Sequence, residues 1–137
     1  PEQQVTKNLY KKNPEECWKK IKIKPNQDAI KNLDCWITGL RRDEGETRKN
    51  IKEKEIYNNI VKLNPLADWT ESDIWRYIAL NNLPINPVYK QGYRSVGCKP
   101  CTKLGKWGRM ERAGRWSGTD KQGGECGMHT FQKNEER

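Results

Sequence analysis

The chain is short of aliphatic side chains. Ile, Leu, Val and Phe together make 23 of its 137 residues, with a single Phe among them. Taken alone, that supply is below the usual globular share and points toward disorder. No apolar run reaches the length needed to span a bilayer, and no signal-peptide pattern is present. There is no internal repeat and no initiator Met. The chain opens at Pro1, as a fragment or a processed chain would. Only one C-x-x-C occurs, so a zinc ribbon lacks the second Cys or Cys/His pair it needs.

What is present offsets part of this shortage. Six Trp and five Tyr each bury a large area, which argues for a folded chain with a thin core. Such a core leans on a missing half, a second copy in a homo-oligomer, or a metal centre. The net charge of +9 implies acidic partners: nucleic acid, a nucleotide or another polyanion. Five cysteines is an odd number, and the C-x-x-C spacing is of the metal or redox type. A reducing cytoplasm fits that usage better than a disulfide scaffold.

Local patterns predict the elements. Residues 1–15 read as a weakly packed helix ending near Asn13-Pro14. In C-W-K-K-I-K-I-K-P (Cys17 to Pro25), Ile21 and Ile23 alternate with lysines, which suits a short strand or a helix terminus. Residues 26–33 predict a short helix, Asp34 to Leu40 a strand, and Ile56 to Leu63 a second strand. Arg41 to Arg48 reads as a loop just past a strand end, where open α/β sheets place ligands. Thr70 as N-cap with Asp73 starts a helix running to about Asn81, and Trp36, Trp69 and Trp75 sit in patterns that read as core. From Gly97 the chain is basic, Gly-rich and aperiodic, the profile of a site-forming segment or a mobile tail.

Chemistry concentrates in that last stretch. Cys98 and Cys101 suit half of a zinc or iron–sulfur site, or a redox dithiol. Arg112 and Arg115 share a face if their segment is helical, and two guanidinium forks can hold an oxyanion. Cys126 lies three residues from His129, the one histidine. Together these suggest redox or sulfur chemistry on an anionic substrate.

Six stretches in order resemble the assimilatory sulfonucleotide reductases, which act on adenylylsulfate or phosphoadenylylsulfate. They are W-I-T-G-L-R-R-D, N-P-L-A-D-W-T-E-S-D-I-W-R-Y-I, N-N-L-P-I-N-P, Q-G-Y-R-S-V-G-C-K-P-C-T, E-R-A-G-R-W and E-C-G-M-H, within residues 14–130. The resemblance implies an α/β fold of the adenine-nucleotide alpha-hydrolase-like (PP-loop) kind. The family's Ser/Gly-rich phosphate loop is not found. The expectation is therefore the C-terminal part of such a domain over 1–117, followed by a mobile tail over 118–137. The same superfamily holds sulfurtransferases acting on nucleic acid, and a metal-binding nucleic-acid module is a further alternative. The E-C-G-M-H tail belongs to the reductases, and nucleic acid is not the expected partner.

The resemblance also implies roles. Cys126 would attack the sulfur of the sulfonucleotide, leaving an S-sulfocysteine that a thioredoxin or glutaredoxin reduces to release sulfite. Lys121 and His129 could favour its thiolate, Glu125 would oppose it, and Gly123, Gly124 and Gly127 would let the tail swing. Lys22, Arg41, Arg42, Arg112, Arg115 and His129 would contact the substrate. In the cluster-bearing branch, which mainly accepts adenylylsulfate, an adjacent cysteine pair and the C-x-x-C bind a [4Fe–4S] cluster. Here Cys17, Cys98 and Cys101 match three of those thiolates, and Trp18 stands where the fourth belongs. Cys35, in a strand, reads as a buried small apolar residue rather than that fourth ligand.

Overall fold

The computed structural model describes residues 9–57, 59–105, 110–116, 124, 125, 127 and 129. Two compact units divide the chain. The first holds Pro1–Trp36, Ile56–Val61 and Glu125–Arg137; the second holds Ile37–Glu55 and Lys62–Gly124.

The first unit opens with helices. Helix α1 (Leu9–Lys12) stops where Pro14 forbids continuation, and α2 (Pro14–Trp18) begins at once. The Asn13 side chain caps α2 by accepting from the Glu16 N–H at 3.0 Å. A π-helical turn (Lys19–Ile23) follows, then α3 (Lys24–Ile30). Pro25 gives a reason for the π turn. Its ring lacks an N–H and would press on the carbonyl four residues back. The Lys24 N–H instead reaches the Lys19 carbonyl, five residues back, which widens the turn. The strand predicted from the Ile21/Ile23 alternation is thus not formed: Ile23 is buried, Ile21 is 43% exposed, and both lie on helical backbone. The core of this unit is Ile30, Tyr57 and Ile60 with Trp36 packed on it, Trp36 meeting Tyr57 edge-on at 5.2 Å.

The sheet has three strands in the order β1-β3-β2: β1 (Cys35–Ile37), β2 (Lys54–Tyr57) and β3 (Ile60–Leu63). The single strand expected over Ile56 to Leu63 is therefore two. Asn59 has φ 61°, a left-handed conformation that Asn tolerates, and the two-residue link makes β2 and β3 an antiparallel hairpin. Val61 N–H donates to the Asp34 carbonyl and Thr38 N–H to the Leu63 carbonyl, so β1 and β3 advance together, in parallel. The β1 strand is shorter than the predicted 34–40, and Cys35 is exposed rather than buried.

In the second unit a polar group does the work of a core. Asn64 and Lys62 are essentially inaccessible. The Asn64 carbonyl oxygen accepts from the Thr38 hydroxyl, and its amide donates to the Lys52 carbonyl at 2.6 Å and to Glu55 at 3.3 Å. Lys62 Nζ meets the same Glu55 carboxylate at 2.7 Å. Every buried polar group in this knot has a partner, which is the condition under which burial is tolerated. Helix α4 (Glu71–Leu80) starts at the predicted capping box: Thr70 Oγ1 accepts from the Asp73 N–H at 3.2 Å, and Asp73 accepts from the Thr70 N–H at 2.9 Å. None of its residues is fully buried. Trp75 is 37% exposed, which corrects its reading as core, while Trp36 and Trp69 are half-buried.

Candidate functional site

The C-x-x-C lies in the second unit, on a tight 3₁₀ turn (Lys99–Cys101). Pro100 sits inside this turn, and the Cys101 N–H donates to the Cys98 carbonyl at 2.9 Å. Thr102 locks the turn from below. Its hydroxyl accepts from the Gly97 N–H at 3.1 Å and donates to the Cys98 carbonyl at 2.9 Å. Both thiols are half-buried.

The E-R-A-G-R-W segment is zipped to this turn. Lys103 N–H donates to the Gly114 carbonyl at 2.9 Å, Trp116 N–H donates to the Cys101 carbonyl at 3.0 Å, and Thr102 and Arg115 form an antiparallel bridge. Gly114 is required by contact: a Cβ there would lie 2.0 Å from the Lys103 carbonyl oxygen. The stretch predicted to be a site-forming segment or a mobile tail is thus ordered across 97–105 and 110–116.

Arg112 and Arg115 do not present one fork. Arg112 sits in a 3₁₀ turn (Glu111–Gly114), whereas Arg115 follows it on extended backbone. Arg112 Nη2 donates to the Gly124 carbonyl at 2.6 Å. Arg115 turns to the cysteine loop, with Nη1 donating to the Val96 carbonyl at 3.0 Å and to Ser95 Oγ at 3.4 Å. Its guanidinium lies flat on Gly97, where a Cβ would come within 2.5 Å of Cζ. Arg115 is 7% exposed, and among the described residues no carboxylate pairs with it. A buried guanidinium with no counter-charge is costly unless an anion compensates it.

Arg41 and Arg42 do have carboxylate partners. Arg41 is 4% exposed and pairs with Glu111, with Glu44 and Asp43 at 3.8 and 3.6 Å. Arg42 pairs with Asp68 and donates to the Ile51 carbonyl at 2.9 Å. Arg48 pairs with Glu44. The predicted loop consists of two 3₁₀ turns (Arg42–Glu44 and Glu46–Arg48) carrying these pairs. Arg94 holds Glu71 with two nitrogens, which keeps that carboxyl below the usual range. Burial pushes Glu111 up despite the pull of Arg41. Arg41, Glu71, Trp75, Tyr89, Arg94 and Glu111 line a cavity of about 170 Å³ within the second unit.

The remaining predicted residues fall in the first unit. Cys17 and Trp18 close α2, Lys22 is half-buried on the π turn, and His129 stacks on Trp36 with centroids 5.2 Å apart and planes at 14°. Gly127 packs against Trp18. Cys126 and Lys121 lie outside the described residues. Among the described residues no group of three or more His, Cys, Asp or Glu side chains is arranged to hold a metal. Cys98 and Cys101 suit a chelating pair by spacing and turn. Trp18 is buried and its indole is a donor only, so the residues present do not fit a four-cysteine cluster. Sequence reasoning missed Thr102 and Glu111. The hydroxyl next to the second cysteine was a usable local signal, whereas the Arg41–Glu111 pair joins residues 70 apart.

A mixed sheet, a locked cysteine turn and buried arginines define an α/β protein. A family model described as the phosphoadenosine phosphosulfate reductase domain matches residues 1–104, and the chain belongs to that family. It is 45% identical over 116 residues to an adenosine 5'-phosphosulfate reductase of Neisseria meningitidis, covering 83% of this chain and 48% of that protein. A second such reductase, from Lysinibacillus sphaericus, is 41% identical over 128 residues, covering 92% and 54%. The solved phosphoadenylyl-sulfate (PAPS) reductase from Candida auris, a phosphate complex, superposes with a TM-score of 0.58 at 28% identity, over 69% of this chain and 46% of that one. The chain thus shares the α/β fold of that structure and spans about half the length of the curated relatives it matches. Among the described residues no helix is long and apolar enough to cross a membrane.

Proposed function

We propose that the chain forms the thiol-bearing part of a cytoplasmic adenylylsulfate reductase. The observation that carries this reading is Arg115: a buried guanidinium with no carboxylate partner among the described residues, laid against the loop into Cys98, in a chain whose relatives are named for this reaction. Its uncompensated charge suits the sulfate or phosphate of the substrate, with Lys22 and Arg112 as further contacts. The Cys126 thiolate attacks the sulfonyl sulfur. The S–O bond to the nucleotide breaks, AMP leaves with the electron pair, and Cys126 becomes an S-sulfocysteine. A dithiol protein of the thioredoxin or glutaredoxin type then attacks the Cys126 sulfur. Sulfite departs with the S–S electron pair, Cys126 regains its thiol, and the partner is left as a disulfide.

The proposal includes a metal centre that uses the chelating pair Cys98 and Cys101. A [4Fe–4S] form would need ligands beyond this pair, Trp18 not among them, and no step above runs through it. Iron and acid-labile sulfide analysis of anaerobically purified protein tests it; the absence of both sinks the centre. For the reaction, Cys126→Ser is expected to abolish sulfite release while adenylylsulfate affinity changes less than about twofold. Retained turnover removes Cys126 as nucleophile.

A further inference from the structure

We propose that Trp18 is a positioning residue whose indole ring seats the chain that follows Cys126, with the Trp36–His129 stack as a second hold. The proposal rests on the reading of Cys126 as nucleophile. The residues that carry it all lie in the first unit.

Trp18 ends α2 immediately before the π turn and is 9% exposed. Gly127 is buried against it. A Cβ on Gly127 would stand 2.4 Å from Trp18 Cζ3, 2.9 Å from Cη2 and 3.0 Å from Ile23 Cδ1. Two of these atoms belong to an aromatic ring fixed in a core, so the ring cannot swing aside as a flexible side-chain tip would. Gly127 also has φ 79°, which any other residue adopts only with strain. Contact and conformation therefore demand glycine at this position separately. Two residues on, the His129 ring lies nearly parallel to Trp36, and Trp36 is itself fixed edge-on by Tyr57.

The consequence is a segment gripped at two points, Gly127 and His129, by two tryptophans of one unit. A nucleophile on a tail must be presented to one reactant and then to a second. A seat formed by close contact with aromatic rings fixes the backbone next to the thiol without placing a charge there. Trp18 is thus assigned a task of its own at a place where a ligand was expected.

The test measures amide hydrogen exchange over the peptide spanning residues 125–131, together with kcat and KM for sulfite release. The variants are Trp18→Ala, Trp18→Phe, Gly127→Ala and the Trp18→Ala/Gly127→Ala pair. Trp18→Ala is expected to speed exchange of that peptide about tenfold and lower kcat, with KM for adenylylsulfate within about twofold. Trp18→Phe is expected to recover most of both. Gly127→Ala should speed exchange at least as much as Trp18→Ala, and once the ring is gone its effect should shrink to what the φ of 79° alone imposes, because the clash is with that ring. Additive effects, or unchanged exchange in both single variants, overturn the proposal. If Trp18→Ala does not fold, Gly127→Ala leaves the helices intact, and unchanged exchange there overturns it equally. Exchange is measured without substrate, so it decides the seat even if Cys126→Ser retains turnover.

Discussion

Arg115 illustrates how one side chain can organise a loop through both its nitrogens and its flat face. Its Nη1 ties down Ser95 and Val96, and the plane of its guanidinium is the floor on which Gly97 rests. A lysine keeps the charge but has neither the flat face nor the fork. Arg115→Lys is therefore expected to cost about 1–3 kcal/mol of stability and to expose the neighbouring cysteine. The check is thermal unfolding alongside the alkylation rate of Cys98 followed by peptide mass spectrometry. An unchanged alkylation rate would show that the loop is held elsewhere. At this scale the sequence identified the types of residue but not their partners. Arg112 and Arg115 were legible as a pair because they lie three apart. Their divergence was not legible, because it depends on where a 3₁₀ turn ends and on carbonyls contributed by residues 96 and 124.

Among the elements, local rules were read well and register-dependent ones poorly. The capping box at Thr70 and the stop at Pro14 involve neighbours in sequence, and both are found as expected. The hairpin between Tyr57 and Ile60 was read as one strand because its turn is two asparagines flanked by apolar residues on both sides. Nothing in the alternation marks the reversal. The helix through Cys17 to Pro25 was obscured by a π turn, which shifts the periodicity that sequence patterns rely on.

The start of α4 also carries a pH dependence. Glu71 is held below its ordinary pKa first by its hydrogen bond to Arg94. An acid group depressed on folding adds stability above its unfolded pKa and loses it as pH falls through the folded value. Melting temperature should thus fall on acidification below about pH 4.3, the ordinary Glu value, and Arg94→Met should flatten that limb. Identical pH profiles for the two proteins would show that the pair does not contribute. Glu111 works with the opposite sign. Burial raises it, so its ionisation costs stability as pH rises from the ordinary Glu value toward its folded value, a window above the acid limb of Glu71.

For the molecule as a whole, charge is the dominant physical fact. A net +9 with a sequence pI near 9.4 gives a field that draws anions in, and salt screens it over about 10 Å at 0.1 M. Binding of adenylylsulfate, followed by calorimetry, is expected to weaken several-fold between low and high potassium chloride. An affinity indifferent to salt would mean that the compensation of Arg115 is wholly local. The thin aliphatic supply was legible from composition, and its structural answer is visible in each unit. One packs Trp, Tyr and Ile from a helix end and the strands; the other uses a saturated polar knot at Asn64. Composition announces such a knot only as a shortage, since Asn and Lys look like surface residues until their partners are known.

The bridge that joins Thr102 to Arg115 has a practical corollary. With residues 101–103 fastened to 114–116, the chain leaves this buckle at Gly105 and returns at Met110. A residue inserted or deleted within 101–103 or 114–116 would move Thr102 off Arg115 and shear the cysteine turn out of register.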